Sequence, residues 1–420
     1  MKFVADFHIH SKYSRAVSPL MNLENLDKWA RIKGIKVLGT GDFTHPKWFD
    51  EIKENLEPAE TGLFKFKKTD SPTRFILTAE ISCIFSKGGK VRKIHIILFA
   101  PSISAVEKIN KQLSKIGNLH SDGRPILGLD AKELAKIVLE SDKDCLLVPA
   151  HIWTPWFSIF GSKSGFNTIE ECFEEYSKHI YAGETGLSSD PKMNWRLSQL
   201  DNITLISNSD SHSLQKIGRE ANVFNADLSY NSITDILKTK DKKKFLYTVE
   251  FFPEEGKYHY DGHRTCDISL SPKESKKYDN ICPKCKKPLV IGVLNRVEEL
   301  ADRAINFKPN NAIPFKSLIP LNEIIAESIG VSTASKKVAE YYNQLIKNIG
   351  SEFKILLDSS KKEIEENSLS KIAEGVMRVR EGKVFIEPGY DGVYGKIEIF
   401  SKQEKENFKK EKINQKKLFS

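Results

Sequence analysis

Nine side chains able to ligate a divalent metal follow one another through the first half of the chain: His8, His10, Asp42, His45, Glu80, His95, His151, Asp210 and His212. Imidazole mixed with carboxylate suits zinc, manganese or iron, with magnesium as an assisting ion. Two or three such ions held about 3.5–4 Å apart can activate a water and stabilise a leaving oxygen, which is the chemistry of phosphoester cleavage. No nucleophilic serine or cysteine motif accompanies them. The metals would therefore provide the nucleophile, with Asp42 and Asp210 placed to orient the water.

The elements that must position these groups are short apolar runs. Most of the nine residues stand at or just past the end of one, where an α/β barrel gathers its catalytic groups. In a strand, residues i and i+2 share a face, so His8 and His10 can take one ion together after Phe3-Val4-Ala5. Asp210 and His212 repeat the spacing after Ile203-Thr204-Leu205-Ile206. Leu77-Thr78-Ala79-Glu80 ends an apolar run in a carboxylate, Lys93-Ile94-His95-Ile96-Ile97 buries an imidazole, and Val148-Pro149-Ala150-His151 ends in another. Ionisable groups in such surroundings cost several kcal/mol unless cations compensate them.

This ligand order resembles the PHP (polymerase and histidinol phosphatase) family. The resemblance implies a distorted seven-stranded β/α barrel with up to three metals at the C-terminal ends of its strands. It implies one metal on His8, His10, Glu80 and Asp210, and a second on Glu80, His95 and His151, with Glu80 bridging. The third would use His212 and a histidine near Asp42. Most members have Asp and His adjacent, whereas this chain reads Thr40-Gly41-Asp42-Phe43-Thr44-His45-Pro46, so His45 would fill that role from a displaced backbone.

The chain's 420 residues divide into four expected parts. Residues 1–250 alternate strands with amphipathic helices, for example a helix over 22–33 before a strand at 35–38, and a helix over 131–139 before a strand at 145–148. Residues 251–292 are irregular and aromatic and close around cysteines. Residues 293–402 form a mainly helical domain, with helices expected at 296–305, 321–328, 335–350 and 359–380, then a hairpin joining 384–386 to 397–400. Lys87-Gly88-Gly89-Lys90 reads as a turn rather than a phosphate loop. Residues 403–420 form a basic, solvated tail. Within it, Gln415-Lys416-Lys417-Leu418-Phe419 resembles the peptides that dock on DNA sliding clamps; a plain frayed terminus is the alternative.

Cys83, Cys145 and Cys172 lie in or beside apolar segments and read as buried reduced thiols. Cys266, Cys282 and Cys285 differ, because Cys282-Pro283-Lys284-Cys285 is a zinc-knuckle turn. One structural zinc is expected on these three with His263, or with His259 as the alternate; a redox dithiol is the competing reading. A net charge of +9 favours a polyanionic partner. No apolar stretch approaches the roughly 18 residues needed to span a bilayer, and the start of the chain does not read as a signal peptide, so no membrane partner and a cytoplasmic location are expected.

What would separate a nuclease from a small-molecule phosphatase is the surrounding equipment. His151-Ile152-Trp153-Thr154-Pro155-Trp156-Phe157 crowds aromatics after a ligand, forming either a plug or, through Trp153 and Trp156, a wall on which an extruded base stacks. Lys163 and Arg196, with Arg15, are candidates for gripping phosphates. Asp190, in the polar loop 184–196, is a further catalytic or base-reading candidate. Together with the approach Gly256-Lys257-Tyr258-His259-Tyr260-Asp261-Gly262-His263-Arg264 and the segment Val297-Glu298-Glu299-Leu300-Ala301-Asp302-Arg303, these features resemble the endonuclease Q family over nearly the whole chain. The resemblance implies cutting of double- or single-stranded DNA 5′ to uracil, hypoxanthine, xanthine or an abasic site, leaving 3′-hydroxyl and 5′-phosphate. The alternative is a PHP-type phosphomonoesterase resembling histidinol phosphatase, which would leave residues 251–420 without a task.

Overall fold

The structure, a computed structural model, describes residues 1–406; the clamp-like peptide Gln415–Phe419 lies outside the described residues. The fold is mixed α/β. Parallel pairing joins the strand Lys2–Asp6 to Val37–Gly39 and that strand to the long Arg74–Lys87. Arg74–Lys87 turns back antiparallel into Lys90–Ala100, which pairs with Leu146–Pro149. Ala182–Glu184 and Thr204–Ile206 form a parallel pair of their own. A bridge between Ile9 and Ser211 ties that pair's outgoing loop to the end of the first strand.

Alternation along these strands builds two cores. Phe3, Ala5 and Phe7 join Val37, Ile76, Ile97, Phe99, Leu146, Val148, Ala182 and Ile206 in an inner cluster, so all seven strands face one interior. Their neighbours Val4, Leu38, Phe75, Ile96, Leu98 and Leu147 face outward, into a second cluster with helical residues such as Leu26, Ala30, Ile109 and Leu134. Both faces of the sheet are thus buried, which explains strands that read as continuous apolar runs. Gly88 and Gly89 both have positive φ, as the two-residue turn between the long strands requires.

The helix expected over 22–33 spans Leu23–Lys33 with Asn22 capping it, and that over 131–139 spans Ala131–Ser141. Farther on, the expected helix 296–305 instead runs Val293–Leu300 and packs against the cysteine-rich segment, where Asn295 donates to Asp261 at 2.6 Å. The single helix expected over 359–380 is two, Lys361–Asn367 and Ser370–Arg380. The break falls at Ser368, whose hydroxyl bonds the Ile364 carbonyl, a local competitor of helix continuation. Gly375 lets Ser370–Arg380 approach Leu321–Ile329, since a Cβ there would stand 2.9 Å from Ile324 and Ser328 side-chain atoms. The hairpin pairs Phe385–Glu387 with Lys396–Glu398 and bridges back to Tyr260 through Tyr390. A strand at Phe315–Ser317 extends the main sheet beside Thr248–Glu250, and a buried Lys33–Glu352 ion pair of 2.7 Å joins the helical end to the first helix. No described helix is long and apolar enough to cross a membrane.

Candidate metal centre

Strand ends deliver the ligands to one place. The backbones after the first strand and after Thr204–Ile206 are zipped together, His10 N–H donating to the Ser211 carbonyl at 3.0 Å. His8, His10 and Asp210 are thereby brought face to face. On the long hairpin Glu80 pairs with Ile97 and Ser82 with His95, so Glu80 and His95 are diagonal neighbours on one face. His151 emerges beside them, because Ala150 N–H donates to the His95 carbonyl at 3.0 Å.

Two clusters result, sharing Glu80. Ligand atoms of His8, His10, Glu80 and Asp210 all lie within 4.8 Å of one another, as do those of Glu80, His95 and His151. Glu80 Oε2 is 3.2 Å from His10 Nε2 and 3.5 Å from His8 Nε2. Its Oε1 is 2.7 Å from His95 Nδ1 and 3.0 Å from His151 Nε2. His8 Nε2, His10 Nε2 and Asp210 Oδ1 are buried without a hydrogen-bond partner. Orphaned imidazole nitrogens aimed at a shared carboxylate are costly in a protein alone and fit a divalent cation.

The far side of each ring is anchored. Glu184 accepts from His8 Nδ1 at 3.0 Å, from His151 N–H at 2.8 Å and from Asn208 Nδ2 at 2.9 Å. Asp42 Oδ1 holds His10 Nδ1 at 3.0 Å, while its Oδ2 accepts from Ser11 N–H, Ser11 Oγ and Ser14 Oγ. Thr154 Oγ1 stands 3.1 Å from His151 Nδ1. Such partners fix the tautomer and aim of a ligating imidazole. Asp42, His151 and Asp210 all have positive φ, backbone strain of a kind concentrated at functional sites.

The charges interlock. Burial alone would lower the His8 imidazole, but Glu184, Glu80 and Asp210 outweigh it and hold it well above the ordinary value. His10 is raised in the same way, against its burial, by Asp42, Asp210 and Glu80. His95 goes the other way, burial pushing it down to about 4 despite Glu80. Although burial opposes it, His95, Arg124 and His8 around Glu80 keep that carboxyl well below its usual range.

Several expected roles change. Asp42 cannot orient an attacking water, since both its oxygens are committed behind His10 and it is fully buried. His45 stacks on Tyr13 at 4.4 Å, and His212 packs on His10 at 4.7 Å with its Nδ1 3.7 Å from Asp210 Oδ1; among the described residues neither joins the two grouped ligand sets. Trp153 is 1% exposed, packed on Phe160 and bonded to Asn194, which makes it a plug; Trp156, 46% exposed, remains open to a partner. Arg196 is buried and paired with Glu298 at 2.6 Å rather than free for phosphate, whereas Lys163 is exposed. Arg15 is paired with Asp122 at 3.3 Å. Asp190 lies outside both clusters; it caps the turn Pro191–Asn194 and borders a cleft with Lys192 and Glu254.

Sequence reading passed over two residues. Glu184 ends the run Tyr181-Ala182-Gly183, the same device as Glu80, and could have been found by it. Arg124, whose Nη1 donates to Glu80 Oε2 at 3.1 Å, sits in a loop with no periodic signal.

The cysteine module forms a third cluster of His263, Cys266, Cys282 and Cys285, with His263 Nδ1 3.7 Å from Cys285 Sγ. His259 is not part of it; it is buried and stacked on Tyr260. Cys83, Cys145 and Cys172 are free and buried.

Residues 320–383 match the family model described as the MJ0043 C-terminal domain. The uncharacterised protein MJ0043 of Methanocaldococcus jannaschii is 33% identical over 264 residues, 62% of this chain, and the chain spans 32% of that protein's length. The uncharacterised YqxK of Bacillus subtilis is 28% identical over 413 residues, covering 94% of this chain and 99% of YqxK. The lesion-specific endonuclease PfuEndoQ of Pyrococcus furiosus superposes with a TM-score of 0.84 at 31% identity, covering 95% of each chain. An endonuclease Q in complex with a 27-mer duplex substrate, an abasic lesion at its active site, gives 0.83 at 32% identity over 96% of this chain and 97% of that one. These solved chains share the mixed α/β fold of this protein end to end. The chain belongs to the endonuclease Q family.

Proposed function

We propose that the protein is a DNA repair endonuclease that cleaves the phosphodiester 5′ to a deaminated base (uracil, hypoxanthine or xanthine) or an abasic site, leaving 3′-hydroxyl and 5′-phosphate. One observation carries the reading: orphaned His8 Nε2, His10 Nε2 and Asp210 Oδ1 converge on Glu80 in a chain that matches a lesion-bound nuclease over nearly its full length. Residues 1–250 would form a PHP-type barrel, 251–292 a zinc module on His263, Cys266, Cys282 and Cys285, and 293–402 a platform for DNA.

Within the barrel, His8, His10, Glu80 and Asp210 would hold one divalent cation, and Glu80, His95 and His151 a second. Bound cations supply water activation and charge neutralisation at the leaving oxygen. Glu184 and Asp42 lock the imidazoles in place from behind. Asp210, whose side chain is 26% exposed, is the carboxylate open to solvent and so placed to orient the attacking water. Trp156 and Lys163, both exposed on the loop after His151, offer an aromatic face and a cation to an extruded nucleotide. A deaminated base pairs weakly and costs less to unstack, which gives selectivity a physical source.

The test is a panel of duplexes bearing uracil, hypoxanthine, xanthine or an abasic site, with the cut mapped to the nucleotide. Wild-type protein should nick on the 5′ side of the lesion, stop in EDTA, and in His8→Ala keep binding while losing cutting. Hydrolysis of phosphomonoesters with indifference to lesion-bearing DNA would replace the proposal with the phosphatase reading.

A further inference from the structure

We propose that Arg219 is a positioning residue for the first cation: its guanidinium grips the backbone of the loop that bears Asp210 and so aims that carboxylate at His8 and His10. The role rests on the reading of His8, His10, Glu80 and Asp210 as a cation site. Asp210 lies past the end of the strand Thr204–Ile206, with φ at 45°. A non-glycine backbone in that region persists only where its surroundings over-determine it.

Arg219 supplies much of that constraint. Its Nε donates to the Ser209 carbonyl at 2.8 Å and its Nη2 to the Asp210 carbonyl at 3.4 Å, so one planar group spans the Asp210 backbone. Among the described residues, both of its side-chain hydrogen bonds end on this loop. From the amide side the fully buried Asp6 accepts from Ser209 N–H at 3.1 Å. The other Asp6 oxygen accepts at 2.9 Å from the N–H of Gly218, the residue before Arg219. Asp6 thus pins both the loop that is held and the backbone that holds it. The strand Ala221–Asn225, which begins just beyond Arg219, pairs antiparallel with Lys2–Asp6 and sets Asn222 opposite Ala5. Arg219 therefore springs from the same frame that carries His8 and His10, and passes that frame's position on to Asp210.

At the tip of the loop, Asp210 Oδ1 stands 3.1 Å from His10 Nε2 and 3.7 Å from His8 Nε2, buried and without a hydrogen-bond partner. With no donor of its own, that oxygen takes its direction from the backbone beneath it. The sign of the effect separates positioning from plain electrostatics. A guanidinium close to a cation site repels the cation, so deleting its charge alone would tighten binding. Deleting a positioning residue loosens it.

The test is Mn²⁺ titration of the full-length protein, with free Mn²⁺ read by electron paramagnetic resonance, because Mn²⁺ favours carboxylate-bearing sites over thiolate ones. Asp210→Asn marks the first site and His95→Ala the second. Arg219→Ala should weaken the first site about 10–100-fold and leave the second unchanged. In an Asp210→Asn background it should add nothing, since both changes act on one ligand. Arg219→Lys, which keeps the charge and one donor to the Ser209 carbonyl, should fall between wild type and Arg219→Ala. Urea unfolding monitors the fold of each variant. Equal weakening of both sites, or a further loss in the Asp210→Asn background, would make Arg219 a general brace of the barrel and overturn the proposal. Unchanged or tighter binding at the first site would overturn it as well. Should Arg219→Ala fail to fold, Arg219→Lys decides alone, and wild-type affinity at its first site would overturn the proposal. Wild-type protein that takes up no Mn²⁺ would defeat the cation reading and this role together. Wild-type protein that binds two ions yet cuts no lesion-bearing duplex would remove the nuclease reading and leave Arg219 to the titrations.

Discussion

Replacing Glu184 by glutamine conserves shape and removes only charge and acceptor capacity. Three donors converge on that carboxylate: His8 Nδ1, His151 N–H and Asn208 Nδ2. Asn208 cannot flip to compensate, because its Oδ1 already accepts from Phe7 N–H and Asn222 Nδ2. With the glutamine carbonyl toward His8 and Asn208, the amide NH₂ meets His151 N–H; turned around, it meets Asn208 Nδ2. Either way a buried donor loses its acceptor, at a cost of about 1–3 kcal/mol in a site with no access to water. The His8 imidazole also loses its anionic partner, an effect of about 10–100-fold on metal affinity at comparable sites. Glu184→Gln should therefore unfold at lower urea by an amount equivalent to about 2 kcal/mol and release its barrel metals to a weaker chelator. Wild-type metal affinity together with wild-type urea resistance would refute the claim that Glu184 anchors the His8 ring.

Two further outcomes follow from buried charges elsewhere. Burial pushes the Glu250 carboxyl up to about 8, against the hydroxyls of Thr248, Thr185 and Ser207, and its neighbour Glu220 is also held high by burial and by Glu250. A carboxyl whose folded value exceeds its ordinary 4.5 stays protonated in the fold while the unfolded chain ionises. Stability should thus fall as pH rises from about 4.5 to about 8, by at most about 1.4 kcal/mol per pH unit for this group. Urea titrations at several pH values should show a shallower fall in Glu250→Gln, and equal slopes in the two proteins would count against it. At the seam between the first helix and the helical end, Lys33→Met leaves Glu352, among the described residues, with Tyr342 and the Leu321 N–H. Breaking such a pair should cost about 3–5 kcal/mol, partly recovered in Lys33→Met with Glu352→Gln. A cost under about 1 kcal/mol would mean that the pair behaves like a surface one.

The ligands legible in the sequence were those whose spacing follows strand geometry. His8-x-His10 and the carboxylate ending Leu77–Glu80 announce themselves because period two and an apolar run leave little else for them to do. The bonds behind them were harder to read. Asp42 stood in the right segment but acts on His10 from below, a difference of side-chain direction that residue order does not encode. Trp153 and Trp156 are three residues apart in one aromatic run, yet one fills the interior and the other faces out, a difference that an irregular loop does not encode in its spacing. Arg124 carried no signal at all, since its role depends on a loop brought to Glu80 by tertiary contacts with Tyr13 and Ser82. The irregular cysteine segment showed its knuckle through Cys282 and Cys285, and His263, expected as their partner ahead of His259, stands with them in the fold.

The central claim is that scattered imidazoles and carboxylates form one pocket for two cations joined by Glu80. Anomalous diffraction from crystals of metal-loaded protein, collected on both sides of the metal's absorption edge, tests it most directly. The account predicts two peaks flanking Glu80, each about 2.0–2.2 Å from its nitrogen and oxygen ligands, one among His8, His10 and Asp210 and the other between His95 and His151. Density with no peak there, from crystals whose cysteine module does show bound metal, would contradict it.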